Sequence, residues 1–93
     1  MKAKRTDSNQ KSIVSALRSI PGVSVAVTSS LPEFLDIVVG TYWNKRNYLI
    51  EIKVPGKKEN LRPSQEKFKE KWLGQYDVCE SLDDVLKVIG IKS

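Results

Sequence analysis

The sequence predicts an α/β fold in the order α-β-β-β-α-β-α, with a mixed central sheet, flanking helices and a C-terminal helix. Three observations predict it. Residues 23–28, 36–40 and 48–53 form three apolar or alternating runs rich in β-branched residues, separated by short connections. Segments with helical apolar spacing precede and follow these runs. The pairs Pro21-Gly22 and Pro55-Gly56 punctuate the change from one pattern to the next. At 93 residues, one domain spanning 1–93 is expected.

Each element follows from local chemistry. Asp7 or Ser8 can cap a first helix over residues 8–20, where Ile13, Val14, Leu17 and Ile20 share a face. Pro21-Gly22 ends it, and residues 23–28 alternate with period two as a strand. A loop over residues 29–34 contains Pro32. Residues 36–40 and 48–53 are the next two strands, and 41–47 suits a hairpin connection. A basic loop over 57–62 leads to Pro63, which fits the first turn of a helix reaching about residue 73. Phe68 and Trp72, at i and i+4, are expected on its buried side, with Gly74 as the stop. Residues 76–80 form a last short strand, and the helical crossover before it allows parallel pairing. Ser81 to Asp84 resembles a capping box with Asp in the usual Glu place, opening a helix with Val85, Leu86 and Ile89 as its core face.

Composition narrows the chemistry. The net charge is +5, from 16 Lys and Arg against 11 Asp and Glu, which favours a polyanionic partner. The chain has no histidine, so His general bases, Ser-His or Cys-His pairs and His-ligated zinc are excluded. Cys79 is the only cysteine, which excludes an internal disulfide and a cysteine cluster for zinc. No apolar run approaches the roughly 20 residues that span a bilayer, so no membrane association is expected. The basic first residues are followed by polar ones, which predicts no secretory signal and a cytoplasmic protein. A core this small makes dimerisation a natural remedy.

Three charges stand out because they interrupt apolar strands. Asp36 opens one strand, and Glu51 and Lys53 lie within the other. Such charges are costly inside a buried strand unless they are paired or bound to a metal. Period two places Glu51 and Lys53 on one face, with Ile50 and Ile52 on the other. If the hairpin closes across Trp43 and Asn44, Asp36 comes level with Glu51. Two carboxylates could then hold Mg²⁺ or Mn²⁺, with the backbone carbonyl of Ile52 as a further ligand. Such an ion polarises a phosphodiester, and a lysine beside it offsets developing charge. Glu51-Ile52-Lys53 is the chain's only acid-x-Lys triplet. The alternative is a structural salt bridge on a half-exposed sheet face, Glu51 pairing with Lys53 or a neighbouring lysine.

The run Asp36-Ile-Val-Val-Gly40, followed by Tyr48-Leu-Ile-Glu51-Ile-Lys53, resembles the core of the PD-(D/E)XK nucleases. More closely it resembles the virus-type replication-repair nuclease (VRR-NUC) domain in its stand-alone phage form. Arg5-Thr-Asp7-Ser-Asn9-Gln10, Leu61-Arg-Pro-Ser-Gln65-Glu-Lys-Phe68 and Val78-Cys-Glu-Ser81-Leu-Asp-Asp-Val85 extend the likeness over nearly the whole chain. The resemblance implies a restriction-endonuclease-like αβββαβ core and divalent-metal hydrolysis of DNA, in a bacterial or phage-infected cell. It assigns Asp36 and Glu51 as metal carboxylates and Lys53 as the catalytic lysine. Gln10, Asp7 and Gln65 become candidate site contacts, set against a helix cap or plain exposure. One departure is Leu35, where the family usually has proline directly before the Asp. Glu33 is a less favoured alternative ligand, because Phe34 and Leu35 would then need a bulge.

The basic residues after the triplet suit a nucleic-acid surface. Lys57, Lys58 and Arg62 lead directly away from the candidate site and could hold phosphates beside the cut. Lys67 and Lys71 read more simply as a solvated helix face. Tyr42 and Trp43, in the hairpin connection, could stack on bases, meet a second copy or cover the core. The resemblance implies a homodimer acting on branched DNA such as a Holliday junction. The competing reading is a non-catalytic DNA-binding module derived from a nuclease.

Overall fold

A computed structural model describes residues 8–91. The elements are α1 (Gln10–Arg18), β1 (Val23–Val27), β2 (Ile37–Thr41), β3 (Arg46–Ile52), α2 (Pro63–Lys71), β4 (Asp77–Cys79) and α3 (Leu82–Ile89). They follow the expected order. The four strands form one mixed sheet in the order β1-β2-β3-β4. β1, β2 and β3 pair antiparallel, and β4 joins β3 in parallel, after the crossover through α2. Among the described residues no helix is long and apolar enough to cross a membrane.

Alternation along the strands builds the core. Ile37 and Val39 on β2 and Ile50 and Ile52 on β3 point to one face, where they pack with Ile13, Val14 and Leu17 of α1 and Val85 and Ile89 of α3. Every second residue, including Glu51, points to the opposite face, which α2 covers. There Phe68 meets Phe34 edge-on at 5.7 Å, stacks with Trp72 at 5.1 Å and contacts Tyr76 at 5.0 Å. The sheet is thus aliphatic on one side, and polar and aromatic on the other.

The ends of the elements differ from the sequence expectation where long-range bonds compete with local ones. The first helix begins at Gln10, with Asn9 at the cap position and no side-chain capping bond, rather than at residue 8 under Asp7 or Ser8. Asp7 lies outside the described residues. The Asn9 amide instead donates to the carbonyls of Lys53 (3.1 Å) and Glu80 (3.0 Å), tying α1 to the ends of β3 and β4. The second helix stops at Lys71, so Trp72 is not on a buried helical side. Its extended backbone leaves the indole 43% exposed. Ser81 caps α3 as expected by accepting from the Asp84 N–H. The Asp84 carboxylate receives the N–H of Glu80, one residue outside the usual box, and Gly90 closes the helix at a left-handed φ of +87°.

Candidate active site

The β2–β3 turn occupies residues 42–45. Thr41 donates its hydroxyl to the Asn44 side-chain oxygen, which also receives the Arg46 N–H at 3.2 Å. Lys45 takes φ +55°, and its ammonium sits 3.8 Å from the centre of the Tyr42 ring. This closure pairs Thr41 with Arg46 and Ile37 with Ile50, which is the register of a hairpin centred on Trp43 and Asn44. One further step brings Asp36 level with Glu51.

Both carboxylates and the lysine are buried: Asp36 is 2% exposed, Glu51 1% and Lys53 4%. The face that carries them is therefore buried rather than half-exposed. Asp36 is anchored on three sides. Its Oδ2 accepts the Ile52 N–H at 2.8 Å, its carbonyl accepts the Thr28 N–H at 2.8 Å, and the neighbouring Leu35 carbonyl accepts the Thr28 hydroxyl at 2.8 Å. Leu35 itself is fully buried. The Lys53 N–H bonds to the Cys79 carbonyl on the β4 side. Ile52, one residue earlier, directs its N–H to the Asp36 side. In a strand a residue's N–H and C=O share a side, so the Ile52 carbonyl faces Asp36 as well.

Gln65 is the main correction to simple exposure. It is 3% exposed, and its amide is fixed at both ends. Nε2 donates to Glu51 Oε2, and Oε1 accepts the Arg62 N–H at 2.8 Å. One side chain thus both starts α2 and orients Glu51. Gln10 is also buried, at 4%, with Nε2 donating to Ser29 Oγ at 3.2 Å and Oε1 without a partner among the described residues. Ser29 adjoins Thr28, so Gln10 lies at the same end of the sheet as Asp36. Glu33 is exposed in a turn at φ +56°, whereas Asp36 and Glu51 are buried.

Sequence reasoning missed three contributors. Asn9 locks the strand ends beside Lys53. Ser29 holds Gln10. Tyr76 places its hydroxyl in the interior with no partner among the described residues, and its phenol pKa is raised by burial and then by the charges of Glu51 and Asp36. None has a local signal, because each acts through residues distant in the chain. A tyrosine at the start of a short strand is the most that sequence could have flagged.

Beyond the site, Glu80 Oε2 accepts the N–H groups of Gly56 (3.0 Å) and Lys58 (2.9 Å), shaping the loop after β3. Lys57 and Lys58 are exposed, and Arg62 is half-buried. Tyr42 and Trp43 sit at the other end of the hairpin, away from the carboxylates.

The donor set fits a hard divalent cation. Asp36, Glu51 and the Ile52 carbonyl carry oxygens at one strand end, the ligand type such an ion prefers. Among the described residues there is no group of three or more His, Cys, Asp or Glu that could hold a metal by side chains alone. Mg²⁺, which binds through one or two carboxylates and keeps several waters, does not require one. Compared with known proteins, the chain matches no protein-family model, no curated protein and no solved structure.

Proposed function

We propose that the protein is a divalent-metal-dependent DNA endonuclease with a restriction-endonuclease-like core of the PD-(D/E)XK type, resembling the VRR-NUC domain. The observation that carries this reading is the hairpin register, which brings buried Asp36 level with buried Glu51 and keeps Lys53 on the same face as Glu51. Three buried charges on one sheet face are expensive in a domain this small, and a catalytic role explains their presence.

Asp36, Glu51 and the Ile52 carbonyl would hold Mg²⁺ or Mn²⁺, which when bound supplies Lewis acidity toward the scissile phosphate. Gln65 keeps the Glu51 carboxylate in one orientation. The Ile52 N–H does the same for Asp36. The Lys53 ammonium orients the attacking water and offsets the negative charge that grows on the phosphate oxygens as the new P–O bond forms. Lys57, Lys58 and Arg62 hold the phosphates on either side. Branched DNA is the proposed substrate, and a homodimer, with two sites for two strands, the proposed assembly.

The test is cleavage of four-way and flap DNA with Mg²⁺, with Mn²⁺ and with chelator. Cutting is expected only with added metal, and Glu51→Gln should abolish it while leaving DNA affinity in place. Binding to all substrates without cutting under either metal would instead indicate a DNA-binding module.

A further inference from the structure

The exposed aromatic surface at the end of α2 has no role in the chemistry above. Trp72 lines a cleft of about 290 Å³ together with Glu33, Ser64, Lys67, Phe68 and Lys71. Its indole stacks on Phe68 at an interplanar angle of 15°. Phe68 in turn contacts Tyr76, and Gln65, one turn earlier on α2 and next to Ser64, donates to Glu51. An aromatic row therefore runs from the open cleft toward the carboxylate pair. Lys67 and Lys71 lie one helical turn apart and are exposed beside it.

We propose that this cleft binds one unpaired nucleotide of a DNA strand next to the scissile phosphodiester. The base stacks against Trp72, Lys67 and Lys71 hold its flanking phosphates, and Glu33 accepts a hydrogen bond from an exocyclic amino group. The proposal rests on the nuclease reading and names the substrate feature that the enzyme selects. A flat π-face beside paired cations is what a nucleotide offers to and requires from a protein. In a continuous duplex that face is covered by its neighbours, so the cleft favours a strand with an unstacked base, as at a flap or a junction. A second copy of the chain is a poorer occupant. It would bring its own lysines and a net charge of +5 to an already basic surface.

The chain has two tryptophans, so Trp43→Phe leaves Trp72 as the only one. That protein, in chelator, is titrated with short single-stranded oligodeoxyadenylate and with duplex of equal length. The single strand should quench Trp72 fluorescence. Trp72→Ala should weaken single-strand binding about 5- to 100-fold and duplex binding less than about twofold, with Trp72→Phe in between. Oligodeoxythymidylate, which lacks the amino group, should bind more weakly, and Glu33→Gln should narrow that difference. Circular dichroism confirms that each variant is folded. Unchanged fluorescence on binding, or equal losses for single strand and duplex, overturns the proposal. So does dissociation of a dimer by Trp72→Ala without a change in DNA affinity. Metal-dependent cutting with a silent Trp72 overturns this inference alone, whereas Trp72 quenching without cutting overturns the nuclease reading and leaves the cleft as a single-strand site with no cut beside it. Absence of DNA binding at low salt overturns both.

Discussion

On one face of the sheet, Ile37, Val39, Ile50 and Ile52 meet α1 and α3 through aliphatic contacts. On the other face, Glu51 on β3 and the flanking residues Asp36, just before β2, and Lys53, just after β3, carry charge, and α2 answers with Gln65 and an aromatic cluster. Consecutive residues of one strand therefore serve opposite ends. Ile50 and Ile52 repay their burial with hydrophobic free energy, while Glu51 and Lys53 are buried at a cost that only paired or bound charges can offset. If this division is real, stability and activity should separate between neighbours in the chain.

The largest effect tests that separation directly. Ile50→Ala should cost about 2–5 kcal/mol, lowering the thermal midpoint by at least ~10 °C, because it opens a cavity at a fully buried site. Glu51→Gln, one residue on, should lower the midpoint by far less than Ile50→Ala, since no cavity opens and an acceptor for Gln65 remains. It should nevertheless lose metal-dependent cleavage. Calorimetry on both variants decides it. A Glu51→Gln protein as unstable as Ile50→Ala would make the polar face structural and end the distinction.

Gln65→Ala comes next. It removes a buried donor to Glu51 and a part-buried acceptor for the Arg62 N–H, and should cost about 1–3 kcal/mol. If Gln65 positions Glu51, the loss in cleavage should fall mainly on kcat, by about tenfold, with KM little changed. A loss confined to stability would return Gln65 to the role of a helix-start residue.

These two tests touch residues of different legibility. The strands were readable because alternation and β-branching are local, and the register followed from a turn that closes on Trp43 and Asn44. The sequence put Asp36 level with Glu51 on condition of that closure, and the Ile37–Ile50 pairing meets the condition. Gln65 was not readable as a buried group. Its helix is strongly charged, and the contact that buries it spans 14 residues. Asn9 was less readable still. Local chemistry favours capping by Asp7 or Ser8, while the Asn9 amide answers carbonyls 44 and 71 residues away. Trp72 misled for the opposite reason. Its i, i+4 spacing with Phe68 is real and gives the stack, but the helix ends one residue before it.

Asn9 joins the two faces at their common edge, so its removal should have a smaller, localised effect. Asn9→Ala should cost about 1–2 kcal/mol. It should speed amide exchange at Lys53, whose N–H bonds to Cys79 just inside the tethered strand ends, more than at residues in the middle of β2. Uniform acceleration across the sheet would show that the tether acts on global stability alone.

The smallest effect appears only at high pH, and it sets one buried titratable group of each face against the other. In the aliphatic core, the Cys79 thiol is pushed up to about 12 by burial and then by Asp84 and Asp77. On the polar face, the Tyr76 phenol is raised by burial and then by Glu51 and Asp36. Each folded pKa lies above its unfolded value, so the folded chain keeps a proton that the unfolded chain releases. For Cys79 the effect is absent near neutrality, and stability should fall as pH rises from about 9 to about 12. Urea midpoints across that range should fall less in Cys79→Ala than in the native protein. The same titration separates the faces. Glu51→Gln should bring the Tyr76 phenolate transition to lower pH, isolated by difference against Tyr76→Phe, because a negative neighbour is gone. It should leave the Cys79 transition in place, since Glu51 is not among the charges acting on that thiol. Movement of both groups together would mean that the sheet does not insulate its two faces.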